Sequence, residues 1–126
     1  MLNNMIEPIK FYESLIKAGS GEIVIGVPDS LLKNFSDYLS SFLPKEKHII
    51  AANEGTAVGI ATGFYLSSGK IPLIYLQNSG LGNAINPLVS LADPEVYGIP
   101  MILMIGWRGE PSIKDEPQHI MQGRIT

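Results

Sequence analysis

No cysteine occurs among the 126 residues. Disulfides, thiolate metal sites and cysteine nucleophiles are excluded, and the lack fits a reducing, cytoplasmic setting. Histidine is nearly as scarce, with two copies. There is no H-x-x-x-H or H-E-x-x-H pair and no carboxylate cluster with metal-ligand spacing. Charged residues make up only 17% and the net charge is -3, so the chain has no general attraction to nucleic acid. Its nine basic residues form no run. No apolar stretch approaches the roughly 18 residues that a membrane-spanning helix needs. The first residues, MLNNMIEPIKFYESLIKAG, lack a basic start followed by an apolar run, so no signal peptide is read. A Walker loop, a G-x-G-x-x-G turn and a G-x-S-x-G elbow are all missing.

What is present is a core. Hydrophobic residues make up 45%, enough at this length for one domain. Ile6, Ile9, Phe11, Tyr12, Leu15 and Ile16 recur at helical spacing up to Ala18-Gly19, where glycine suits a left-handed cap. EIVIGV (22–27) has the β-branched character of a buried parallel strand. Pro28-Asp29-Ser30 turns the chain, and Asp29 or Ser30 is placed to cap a helix over Leu31 to Phe42. HIIAA (48–52) reads as a second strand, and Asn53-Glu54-Gly55 opens a helix rich in small residues that ends at Ser67-Ser68-Gly69. PLIYLQ (72–77) is a third strand, followed by the turn Asn78-Ser79-Gly80-Leu81-Gly82-Asn83 and a helix over 84–91. IPMILMIG (99–106) is a fourth strand. The alternation predicts an α/β fold: a three-layer, doubly wound parallel sheet flanked by helices. Beyond Trp107 the chain is polar and proline-rich, with no complete helix to close the sheet, so the domain is read as incomplete at its C-terminus.

Ligands of such sheets bind at the carboxyl ends of the strands. The polar clusters fall there: Asp29, Asn53-Glu54, Gln77 to Asn83, and Trp107 to His119. Glu54 stands where a strand meets a small-residue helix that another backbone or a flat ligand can approach closely. It is either a partnered functional carboxyl or a first-turn acid favoured by the helix dipole. Asp29 is either a helix cap or a catalytic acid. The turn after the third strand, rich in N–H groups and in backbone positions that its glycines permit, is either an anion cradle or a bare loop. In WRGEPSIKDEPQH, His119 is an acid/base candidate and Arg108 an anion anchor, unless the segment is only a solvated loop. His48, at the start of its strand, is read as structural.

Three blocks carry a resemblance: GVPDSLLKNF, AANEGTAVGIATGFYLSSGKIPLIYLQNSGLGNAINPL and IGWRGEPSIKDEPQH. Together they resemble the N-terminal half of the phosphonopyruvate and sulfopyruvate decarboxylase family of thiamine-diphosphate enzymes, over nearly the whole chain. The resemblance implies that residues 1–126 form a pyrimidine-binding domain. It implies that Glu54 hydrogen-bonds the ring nitrogen of the cofactor's aminopyrimidine, favouring the imino tautomer that takes a proton from the thiazolium carbon. The cofactor then serves as an electron sink for decarboxylation of a small 2-oxo acid. Asp29 matches an active-site acid after the first strand. Gln77, Asn78, Ser79 and Gly80 match a loop along the cofactor, and Gln118 and His119 lie where related enzymes place substrate-side groups. Arg108 is expected to contact a phosphonate or sulfonate head group, which bidentate geometry suits equally.

The family's diphosphate and Mg²⁺ site is a Gly-Asp-Gly motif followed by Asn, and no Gly-Asp-Gly occurs here. The diphosphate and Mg²⁺ are therefore expected from a partner, either a diphosphate-binding domain or a separate β subunit, in a homo- or hetero-oligomer. This chain is expected to be inactive alone. A non-catalytic assembly or binding module is the reading of another class, and a carboligase or oxidase of the same superfamily is a third.

Overall fold

The computed structural model describes residues 6–125. The first five residues, where a leader was sought, and Thr126, the last of the expected domain, lie outside them.

The strands are β1 (Ser20–Gly26), β2 (His48–Ile50), β3 (Ile71–Gln77) and β4 (Ile102–Gly106). The helices are α1 (Pro8–Lys17), α2 (Lys33–Phe42), α3 (Glu54–Ser68), α4 (Leu81–Pro87) and α5 (Pro117–Gly123). All pairings are parallel and the order is β2-β1-β3-β4. The order reverses between β1 and β3, so their carboxyl ends flank a switch point, where sheets of this kind open a crevice. The fold class expected from the sequence is the one observed.

Alternation along each strand sorts the core into two halves. On one face Ile23, Ile25, Ile74 and Leu76 meet Ala57, Val58 and Ala61 of α3 and Ala84 of α4. On the other, Val24, Leu73 and Tyr75 meet Tyr12 of α1 and Phe35 and Leu39 of α2. Each fully buried aliphatic side chain contributes about 1.5–3 kcal/mol relative to exposure. Tyr75 stands across β1 because its neighbour there is Gly26; a Cβ on Gly26 would lie 1.9 Å from the ring.

Local signals set the helix ends. Pro8 opens α1, where its missing N–H costs nothing. The Asn53 side chain caps α3 by accepting from Thr56 N at 2.9 Å. Gly69 ends α3 in the left-handed region at φ +70°.

Three expectations need correction. Neither Asp29 nor Ser30 caps α2: the helix begins at Lys33, with Leu32 at the cap position and no side-chain cap. The turn after β3 is not a glycine-permitted loop. It is a 3₁₀ turn (Asn78–Gly80) running straight into α4, and neither Gly80 nor Gly82 has positive φ. The polar stretch beyond Trp107 is not loop throughout, because Pro117 starts α5.

Candidate active site

The first turn of α3 carries Glu54 to the carboxyl end of β2, where it is 9% exposed. Its Oε2 accepts a hydrogen bond from Asn83 Nδ2 at 3.0 Å. On the other side the carboxyl lies against the backbone of Gly80, where a Cβ would stand 2.1 Å from Oε1. Among the described residues Oε1 accepts no hydrogen bond. Glycine at position 80 thus makes room for this side chain rather than for an unusual backbone angle.

Asp29 follows β1 and is 7% exposed, yet both carboxyl oxygens lack a partner among the described residues. Its Oδ2 overhangs the end of β4, where a Cβ on Gly106 would meet it at 2.0 Å. A cavity of about 270 Å³ opens beside it, lined by Pro28, Asp29, Ser30, Lys33, Ser36 and Asp37. A buried carboxylate without donors is costly to keep charged, and such groups concentrate where a ligand or a proton completes the site.

The β3 end and the β4 end are clasped together. Asn78 donates from Nδ2 to the Arg108 carbonyl at 2.9 Å and accepts from Arg108 N at 3.1 Å. Gln77 Nε2 donates to Ser79 Oγ at 2.7 Å. The Arg108 guanidinium donates from Nε to Asp115 Oδ2 at 2.8 Å, from Nη2 to Asp115 Oδ1 at 2.5 Å and from Nη1 to Ser30 Oγ at 3.1 Å. The Arg108 side chain beside it holds the Asp115 carboxyl well below the usual carboxylate range. On α5, His119 pairs through Nδ1 with Gln122 Oε1 at 3.0 Å, and Gln118 is exposed. The α5 backbone packs on Gly109, whose φ is +72° and whose Cβ would lie 1.8 Å from the His119 carbonyl oxygen.

The residues singled out in the sequence therefore gather at one end of the sheet, but not all touch. Glu54 meets Gly80, and Asn78 meets Arg108. No hydrogen bond joins Glu54, Asp29 and His119 to one another among the described residues. Sequence reasoning missed Asp115, Ser30, Asn83 and Gly106 as partners. Asp115 was one of three acids in its segment, with nothing in the spacing to single it out.

The model of the thiamine pyrophosphate enzyme N-terminal TPP binding domain matches residues 11–126. The chain belongs to this family. Among its relatives is a phosphonopyruvate decarboxylase from Streptomyces viridochromogenes, 43% identical over 103 residues, covering 82% of this chain and 25% of that protein. Another is the sulfopyruvate decarboxylase subunit alpha of Methanococcus maripaludis, 38% identical over 116 residues, covering 91% of this chain and 65% of the subunit. A solved structure of a candidate thiamin diphosphate-dependent enzyme from Mycobacterium smegmatis superposes with a TM-score of 0.60 at 25% identity, covering 82% of this chain and 19% of that one. The chain thus spans a quarter of the length of the first relative. Among the described residues no helix is long and apolar enough to cross a membrane.

The site fits the cofactor that defines the family. Of the two Glu54 oxygens, one is fixed by Asn83 and the other, beside the bare backbone of Gly80, accepts from no donor among the described residues. A carboxyl so held has one face left for a ring nitrogen.

Proposed function

We propose that residues 1–126 form the pyrimidine-binding domain of a thiamine-diphosphate-dependent 2-oxo acid decarboxylase, with 3-phosphonopyruvate as substrate. Phosphonoacetaldehyde and carbon dioxide are the products. The observation that carries this reading is Glu54: buried at a strand end, fixed through one oxygen, with Gly80 cleared from the other. Bound thiamine diphosphate supplies the electron sink for the bond that breaks. Glu54 holds a proton at the aminopyrimidine ring nitrogen, and Asn83 keeps its carboxyl in one orientation. Loss of carbon dioxide from a 2-oxo acid requires one proton in return. Asp29, buried and without a partner among the described residues, is the proposed group that handles it. Gln77, Ser79 and Gly80 line the cofactor side, Asn78 holds that loop to the β4 end, and Gln118 and His119 stand on the substrate side.

The diphosphate and its Mg²⁺ fall to a partner, a diphosphate-binding domain or β subunit, since this sequence has no Gly-Asp-Gly. Sulfopyruvate decarboxylation is the second reading. It is supported by the 38% identity over 116 residues to the Methanococcus subunit.

The test is to mix the chain with a diphosphate-binding partner, thiamine diphosphate and Mg²⁺, and to measure carbon dioxide released from each acid. Glu54→Gln should lower kcat by about 10²–10⁴-fold, the range for a lost acid–base group. Full activity in that variant would sink the mechanism. Absence of turnover with every partner and both acids would favour a non-catalytic module.

A further inference from the structure

Arg108 carries one positive charge, and two carboxyl groups act on it: Asp115 by direct hydrogen bonds and Asp29 through space. Asp115 takes the guanidinium in a two-pronged pair through Nε and Nη2. The same carboxylate accepts from Gly109 N at 3.1 Å and Glu116 N at 2.8 Å, so four donors converge on it. Asp29 receives none among the described residues, although its Oδ2 overhangs Gly106, two residues before Arg108. Ser30, its sequence neighbour, holds Nη1. The guanidinium is pushed above the usual arginine range, first by its hydrogen bonds to Asp115. Asp29 acts on it through space as the next carboxylate, ahead of Glu116. Part-buried opposite charges attract strongly where solvent screening is weak. If Asp115 were absent, Asp29 would be the next partner for Arg108.

We propose that Asp115 is a positioning residue that keeps Arg108 off Asp29, leaving the buried Asp29 carboxylate unpaired beside its cavity and able to exchange a proton with a substrate there. Arg108 then acts as a strut between the β1, β3 and β4 ends, tied to Ser30 and Asp115 by its side chain and to Asn78 by its backbone. This replaces the head-group contact expected of it: an arriving phosphonate would meet a guanidinium already holding a carboxylate.

The inference rests on the decarboxylase reading for its kinetic test but not for its spectroscopic one. In the complete enzyme, Asp115→Asn should lower kcat at least about tenfold with a smaller change in KM, as the loss of an oriented acid–base group implies. Asp115→Glu, which keeps a carboxylate for the guanidinium, should retain most of the activity. The double variant Asp115→Asn/Arg108→Gln should recover about threefold or more over Asp115→Asn alone, because no guanidinium is left to occupy Asp29. Thermal melts establish that each variant is folded. A double variant no better than Asp115→Asn, or Asp115→Glu as weak as Asp115→Asn, overturns the proposal. So does Arg108→Gln raising KM alone while Asp115→Asn has no effect, which would mark a head-group contact. Independently of turnover, the Arg108 Nε–Hε NMR resonance in the Asp115→Asn chain should shift when Asp29→Asn is added. No shift would mean that Arg108 does not reach Asp29, and the proposal falls. If the complete enzyme decarboxylates neither acid, the functional reading fails while this resonance still decides the inference.

Discussion

His48 and Asp29 are buried to nearly the same degree, 8% and 7% exposed, and each sits at one end of a short strand or just past it. Their surroundings differ. His48 lies in a closed chain of partners under α2: Nδ1 meets Ser40 Oγ at 3.3 Å, Nε2 meets Tyr75 Oη at 2.9 Å, and Tyr75 Oη meets Ser36 Oγ at 3.0 Å. Asp29 is as deeply buried but has no such partners among the described residues. The difference separates two uses of a buried polar group. The His48 chain answers its own hydrogen-bonding demand and fixes α2 on the sheet, as buried polar groups in a stable core must. The Asp29 end leaves a demand that the described fold does not meet, and an unmet demand at a strand's carboxyl end is what a ligand site looks like before the ligand arrives.

This contrast is easiest to break at Asp29. Asp29→Asn should lower kcat by about 10²-fold or more while leaving the melting temperature unchanged or raised, since an unpaired buried charge is removed. A large loss of stability with normal kcat would place Asp29 with His48, among the structural groups. Gly80→Ala is next. Its Cβ would land 2.1 Å from Glu54 Oε1. The carboxyl or the turn must shift, so activity should fall about tenfold and stability by about 1–3 kcal/mol, the usual cost of overpacking. Kinetics and denaturant melts on one preparation would show whether both fall.

Tyr75→Phe sharpens the other side. It strands His48 Nε2 in the core, and denaturant unfolding should show a loss of about 1–3 kcal/mol, with kcat in the reconstituted enzyme little changed. The smallest effect is that of pH. Burial keeps folded His48 neutral to lower pH than usual. An unfolded imidazole takes its proton near pH 6.5. On acidification the unfolded chain therefore binds more protons, and stability declines as pH drops below about 6.5, levelling only below the folded value. Unfolding at a series of pH values should show this slope in the wild type and a weaker one in His48→Gln.

Much of this was legible in the sequence, for physical reasons. The four strands announce themselves as short apolar runs, β1 with a β-branched character, and α1 and α2 as apolar stripes at helical spacing. Their carboxyl ends gather the candidate residues simply because parallel strands share a direction. β2 extends only over His48–Ile50 because it pairs with the last three residues of β1. What stayed hidden depends on distance through space. Gly80 was read for its backbone freedom, whereas its role is to leave room for a carboxyl 26 residues away in sequence. Asp29 stood open between a helix cap and a catalytic acid, and only the start of α2 at Lys33 removes the first. Asp115 could not be told from Glu110 or Glu116, because only the folded loop aims one of the three at Arg108.

The central claim is that Glu54 activates the cofactor, and proton exchange at the cofactor's thiazolium carbon tests it most directly. Thiamine diphosphate and Mg²⁺ are bound to the reconstituted enzyme, the solvent is switched to deuterium oxide, and exchange at that carbon is followed by quenched NMR. Wild-type enzyme should exchange faster than the Glu54→Gln variant by about 10²–10⁴-fold. Equal exchange rates in enzymes that bind the cofactor equally would contradict the account, and would leave Glu54 as the first-turn helix acid of the simpler reading.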